Sequence, residues 1–143
     1  MDDTDYKILN ILQENAKTSI KQISELVHLT PPAVAERIKR LENNDIILGY
    51  HARIDHTKLS KSIFAIIGVD VKPELNSKFN HYCKNEPNII ACMRVIGNVN
   101  SILHVTVANT TDLKAVIDQL KTYGPTNTNI VLSSIFNFKD ITT

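Results

Sequence analysis

The chain has no tryptophan, only two cysteines and four glycines in 143 residues, and its charges nearly cancel, with 16 Lys and Arg against 15 Asp and Glu. Each shortage excludes something. Cys83 and Cys92 stand nine positions apart with no CxxC and no ligand cluster beside them, so buried free thiols are expected rather than a metal site. His28, His51, His56, His81 and His104 are scattered without ligand spacing, and no metal or cofactor is expected. There is no glycine-rich phosphate loop, no GxSxG and no HExxH, so no catalytic residue is assigned. No apolar run approaches the length of a membrane span, and the N-terminus is acidic rather than basic and then apolar. A cytoplasmic protein without a membrane partner is therefore expected. Residues 1–60 carry eight cations against nine anions, and residues 61–143 carry eight against six, so neither half has a strongly basic footprint.

What is present is a hydrophobic content of 43%, enough to build a core, and an informative run from Leu26 to Ile47. A short helix is expected to end near Val27, and Thr30-Pro31-Pro32 to open another. Thr30 is suited to cap it through its hydroxyl, and proline is tolerated in a first turn whose N–H groups have no helical partner. Because a residue before proline avoids the α region, Pro31 is the alternative cap. Val34, Ile38 and Leu41 then recur as one apolar stripe, with Glu36, Lys39 and Arg40 opposite and Pro32 and Ala33 beside them. Upstream, Ser19 or Thr18 caps IKQISELVH, where Ile20, Ile23, Leu26 and Val27 have helical spacing. Further back, Tyr6, Ile8, Leu9, Ile11 and Leu12 form a third amphipathic stretch behind Asp2, Asp3 and Asp5, which suit a helix N-terminus. Three short helices closely joined make a helix-turn-helix module, with the Thr30–Leu41 helix as its reader. The DNA-facing residues are expected to be Lys21, Gln22, Thr30, Pro32, Ala33, Glu36, Arg37, Lys39 and Arg40, with His51 and Arg53 as further backbone contacts. So few cations imply weak binding by one module, and two modules acting together would double the phosphate contacts.

After Leu59-Ser60-Lys61-Ser62 the period changes, and the domain boundary is placed there, giving domains 1–60 and 61–143. Strands are expected at Ile63–Val71, Ile89–Ile96, Ser101–Ala108 and Ile130–Phe138. Helices are expected at Leu75–Lys84 and, entered through Thr110 or Thr111, at Asp112–Tyr123. The order β-α-β-β-α-β is the ferredoxin-like arrangement, with both helices on one face of an antiparallel sheet. In the first strand Ala65, Ile67, Val69 and Val71 alternate with Phe64, Ile66 and Gly68, so both faces are apolar although helices cover only one. The uncovered face is expected to meet a second copy of the chain.

The series Asp5-Tyr6-Lys7-Ile8-Leu9, Ile23-Ser24-Glu25-Leu26, Leu29-Thr30-Pro31, Arg37 through Glu42, Ile46-Ile47, Tyr50, Ile54-Asp55 and Lys58-Leu59 resembles the Lrp/AsnC transcription regulators. The likeness continues through the remaining chain. It implies an α+β protein with an N-terminal winged helix-turn-helix domain, a linking strand near 50–54, and a C-terminal ferredoxin-like domain. It further implies double-stranded DNA as partner, a homodimer assembling as a dimer of dimers or an octamer, and an amino acid or other small molecule as effector. Asp45 departs from the glycine usual after the reading helix, but Asp tolerates the left-handed conformation better than most residues. The turn Gly97-Asn98-Val99-Asn100 matches the stretch that lines the effector pocket in relatives. Asn100 stands where they carry aspartate and Val99 where they carry an aromatic. An amide offers an amino acid's ammonium only a neutral hydrogen bond, so weak binding is expected. Two other readings remain open: an architectural DNA protein without sequence preference, and a sirohaem-decarboxylase-like enzyme using His81, Arg94 and His104.

Overall fold

The computed structural model describes residues 1–135 and Ile141, and the chain divides into two compact units. The first comprises Met1–Arg53, with Ile141 exchanging hydrogen bonds with the Gln13 side chain. The second comprises Ile54–Ile135. The division thus falls at Arg53/Ile54, ahead of the expected residue 60. The reason is local: His56 Nδ1 donates to Lys61 O at 2.6 Å, and its ring lies 5.7 Å from Phe64, so the short turn His56–Leu59 belongs with the second unit.

The first unit contains α1 (Asp3–Glu14), α2 (Ile20–Val27) and α3 (Pro31–Asn43). One buried core joins them through Ile8, Ile23, Val34 and Leu41. Leu26, expected on the inner side of α2, is instead exposed. No strand is assigned in this unit among the described residues, so among them neither the expected wing nor the linking strand near 50–54 is seen. An extended segment becomes a strand only with a laddered neighbour.

The second unit runs β1 (Ile63–Val69), α4 (Asn76–Asn85), β2 (Ile89–Arg94), β3 (Ser101–Val107), α5 (Thr110–Lys121) and β4 (Thr126–Ile130). The sheet order is β2-β3-β1-β4 with every pairing antiparallel, which is the expected ferredoxin-like topology. Ala65, Ile67, Val69 and Val71 are buried with Phe79, Cys83, Leu113, Val116 and Leu120 beneath the two helices. Asn109, rather than Thr110 or Thr111, caps α5 by accepting from Asp112 N.

The last strand departs most from expectation. Its described part pairs Thr126, Thr128 and Ile130 with Val69, Ile67 and Ala65, and Val131 N still donates to Phe64 O at 2.9 Å, but the assigned strand ends at Ile130; 136–138 lie outside the described residues. The apolar run Ile130-Val131-Leu132 points to a strand there, but the laddered residues are polar and β-branched ones at a sheet edge. Gly124 makes this possible: a Cβ at that position would stand 1.9 Å from the Asp70 carbonyl oxygen. That close approach lets Asp70 N donate to Pro125 O at 2.9 Å and Lys72 N to Tyr123 O at 3.1 Å. Gly124→Ala is therefore expected to force backbone movement and to lower stability by roughly 1–3 kcal/mol. An unchanged thermal midpoint would show that the approach is not tight.

Candidate nucleic-acid interface and ligand turn

Each helix of the first unit is delimited by its own sequence. Asp2 and Asp5 form a reciprocal capping box on α1, each carboxylate accepting from the other's backbone N–H at 3.0–3.1 Å. Ser19 and Gln22 do the same for α2. Helix α3 begins at Pro31 with Thr30 in the cap position, as expected, but the Thr30 side chain makes no cap hydrogen bond. Its end is closed by Ile46 N donating to Leu41 O at 2.9 Å and Asp45 N to Glu42 O at 3.0 Å, with Asp45 left-handed at φ 55°. This is a Schellman closure built on aspartate, which accepts a modest steric cost to end the helix where glycine would have none. Tyr50 Oη then donates to Glu42 at 2.9 Å, returning the following segment to α3. Burial, with the Glu42 bond next, pushes the Tyr50 phenol up to about 12.

Orientation of α3 depends on a carboxylate that the outward-face reading overlooked. The Asp5 side chain is 1% exposed and accepts from Arg37 Nη1 at 2.7 Å and from Arg40 Nη2 at 2.9 Å. Arg37 Nη1 also meets Asp2 at 2.8 Å. Arg37, expected on DNA, is thus turned to α1 and braces it against α3. The signal was present in the sequence: Arg37 lies three residues after Val34 and one before Ile38, on the flank of the stripe, and Asp5 lies three before buried Ile8. Arg40 keeps an exposed side chain at 56% while pairing through one nitrogen. Pro32, Glu36 and Lys39 are exposed, Ala33 is half-buried, and Lys21, Gln22 and Thr30 are exposed, with Gln22 Oε1 engaged by Ser19. The structure therefore gathers Pro32, Glu36, Lys39 and Arg40 on the outer side of α3 and withdraws Arg37.

Burial opposes ionisation of Asp5, but the Arg37 and Asp2 backbone hydrogen bonds and the Arg40 charge outweigh it and hold the carboxyl below its ordinary range. The Arg37 hydrogen bond, above all, lowers Asp2 as well. Groups depressed on folding add stability above their unfolded value, near 4, and that stability drains away as pH falls through their folded values. The first unit is accordingly expected to lose stability below about pH 4. Asp5→Ala should cost on the order of 2–3 kcal/mol, because it removes half of the α1 capping box and the carboxylate shared by Arg37 and Arg40, leaving Arg37 only Asp2, and should weaken this acid dependence. Thermal unfolding at pH 7 and pH 3 checks both, and an Asp5→Ala midpoint equal to wild type would refute the brace.

In the second unit the turn between β2 and β3 is fastened by Asn100. Its amide donates to Val71 O at 2.8 Å and to Asp70 Oδ1 at 3.1 Å, while Oδ1 accepts from Val71 N at 3.0 Å and from Ser101 Oγ at 3.0 Å. An aspartate could not donate to Val71 O and would repel Asp70, so the amide has a structural reason. Val99 packs over Gly68, where a Cβ would come within 3.1 Å of both its methyl groups. Gly97 and Asn98 are exposed, and Gly97 needs no special conformation: its Cβ would meet nothing within 4 Å.

The residues cast for an enzyme are not assembled. His104 lies on the uncovered face of β3 with its ring 5.4 Å from Phe64. Arg94 pairs with Ser101 in the register and bonds Asn76 and Asn80 of α4, on the helix side, and His81 is exposed on α4. No helix among the described residues is long and apolar enough to cross a membrane.

Three helices in a helix-turn-helix arrangement followed by a ferredoxin-like sheet are the two-unit architecture of a helix-turn-helix protein with an appended α+β domain. The family model for the AsnC-type helix-turn-helix domain matches residues 1–42, and that for the Lrp/AsnC ligand binding domain matches residues 64–141. The HTH-type transcriptional regulator YezC of Bacillus subtilis, itself described as uncharacterized, is 32% identical over 94% of this chain and 95% of its own. The leucine-responsive regulatory protein of Haemophilus influenzae is 30% identical over 94% and 86%. The solved structure of Bacillus subtilis LrpC superposes with a TM-score of 0.90 at 27% identity, covering 96% of this chain and 99% of that one. A Neisseria meningitidis transcriptional regulator in complex with L-Met shares the fold at 24% identity, TM-score 0.90, over 99% and 96% of the two chains. The chain belongs to the Lrp/AsnC family of transcriptional regulators.

Proposed function

We propose that this regulator reads specific double-stranded DNA sequences in the cytoplasm through the outer side of α3, with Pro32, Ala33 and Glu36 nearest the bases and Lys39, Arg40, Thr30, Lys21 and Gln22 toward the phosphates. The observation that carries the reading is the division of α3 itself. Its apolar stripe and Arg37 are committed to the other helices, whereas Glu36, Lys39 and Arg40 are presented to solvent on the second helix of the turn. Glu36 is suited to accept from a cytosine amino group, and the two cations to contact phosphate or guanine.

The first unit has a small net negative charge, so one copy offers few phosphate contacts. The open face of the sheet supplies the means of pairing: Phe64 and Ile66 are half-buried in the single chain and stand opposite Thr106 and His104 in the register, with Ile102 opposite Gly68. The reading is a homodimer joined through this face, with two α3 helices on half-sites one or more helical turns apart. Lys39→Ala combined with Arg40→Ala is expected to weaken operator binding by about 1–3 kcal/mol per module and to flatten its salt dependence, whereas random DNA should bind far more weakly throughout. Undiminished operator affinity in the folded double variant, or light scattering that shows only a 16.1 kDa species, would overturn this reading.

The effector side rests on the turn from Gly97 to Asn100. The fold-mate from Neisseria meningitidis is in complex with L-Met, but here the Asn100 carboxamide is spent on Val71, Asp70 and Ser101. What faces solvent is Gly97 and Asn98, and the nearby exposed carboxylate, Asp70, is already engaged by the Asn100 amide. Calorimetric titration with the twenty amino acids should therefore give no low-micromolar binding. A tight complex abolished by changing Gly97 or Asn100 would contradict this.

A further inference from the structure

The two cysteines, far apart in any ligand spacing, are brought together by the fold. Cys83 lies on α4 and is 8% exposed, whereas Cys92, expected to be buried, is exposed on the edge strand β2. Cys92 pairs with Leu103, a core residue beneath the helices, so it faces the same side of the sheet as α4. Both thiols line a single open cavity of about 420 Å³ with Asn80, Lys84, Ile89 and Ile90. They are free, and they face each other across the gap between α4 and β2 that this cavity occupies.

We propose that Cys83 and Cys92 form an oxidisable dithiol, a modification site that hydroperoxides convert into a disulfide within one chain. Cys92 is the attacking sulfur because it is the accessible one. The neighbouring Cys83 thiol favours its thiolate, partial burial opposes this, and the charge of Arg94 adds to it, so that Cys92 is held down to about 7. The Cys92 sulfur beside it, together with burial, pushes the Cys83 thiol up, which keeps it protonated. Arg94 is itself fixed by Asn76 and Ser101. An accessible, acidified thiol beside a second one is the arrangement of a redox-responsive pair, in a compartment where disulfides are otherwise transient.

In the first step the Cys92 thiolate attacks one peroxide oxygen. The O–O bond breaks, Cys92 becomes a sulfenic acid, and the peroxide is reduced to an alcohol or, for hydrogen peroxide, to water. In the second, the Cys83 thiol gives up its proton and its sulfur attacks Cys92. The S–S bond forms as the S–O bond breaks, and the hydroxyl leaves with that proton as water. Two thiols and one hydroperoxide thus yield one disulfide, one alcohol and one water.

The test uses the full chain, hydrogen peroxide as probe, and intact mass under non-reducing conditions. Wild type should lose about 2 Da, reversibly with a dithiol reductant. Cys83→Ser should instead be trapped as a sulfenic acid by a 1,3-diketone, and Cys92→Ser should be oxidised about tenfold more slowly, leaving Cys83 reduced. Alkylation of Cys92 in wild type should rise through about pH 7, below an ordinary thiol, in the field of Arg94, Lys84 and Cys83. Persistence of both free thiols under conditions that oxidise Cys83→Ser, a disulfide between chains instead of within one, or equal oxidation rates in Cys92→Ser and wild type would overturn the proposal.

Discussion

The first unit depends on one buried carboxylate. Asp5 closes the capping box of α1, receives Arg37 and Arg40 from α3, and is almost wholly withdrawn from water. A buried charge is tolerable only while its partners are in place, so this arrangement is close to all-or-none. That property makes it a register device. The apolar contacts of Ile8, Ile23, Val34 and Leu41 would accept small rotations of α3, but two guanidinium groups converging on one carboxylate would not. The brace thereby decides which residues of α3 remain outside, and the exposure of Glu36 and Lys39 follows from it.

In the second unit the corresponding constraint is geometric rather than electrostatic. β1 is central, its neighbours being β3 and β4, and its C-terminal end is approached from two sides by other backbone. Gly124 permits one approach by having no side chain, and Asn100 makes the other by imitating a backbone amide, donating to and accepting from Val71. The same few residues, Asp70 and Val71, anchor both. The turn between β2 and β3 is thus part of the sheet's hydrogen bonding rather than a loop hung upon it, and the polar atoms of Asn100 are used up in holding it.

Much of this was legible in the sequence because it is carried by local rules. Ser19 as cap, the Asp2–Asp5 preference for a helix start, the left-handed Asp45 and the β-α-β-β-α-β order each rest on residues within a turn or a strand of one another. What was not legible depends on distance or on polarity in unexpected places. Arg37 looks like one of three outward cations until α1 is known to place a carboxylate against it. Residues 126–129 are all Thr or Asn and give no apolar alternation, although β-branched threonine suits a strand. Cys92 was expected to be buried from its type alone, whereas its edge position decides its exposure. The segment 50–54 has strand-like composition, but pairing is a property of a neighbour, not of the segment.

The order β2-β3-β1-β4 leaves two strand edges, and each is unsuited to extension. β4 follows Pro125, which has no N–H to donate, and its outer side chains Asn127 and Asn129 bond to one another at 3.2 Å. β2 carries a bulge between Ile89 and Ala91 that breaks the even spacing a new strand would need. Exposed edges are where sheets aggregate, and proline, polar side chains and bulges are the usual deterrents. With lateral growth discouraged at both ends, two such sheets would meet by stacking rather than by joining into one wider sheet, so a concentrated solution of this protein has little route into fibrous association through β2 or β4.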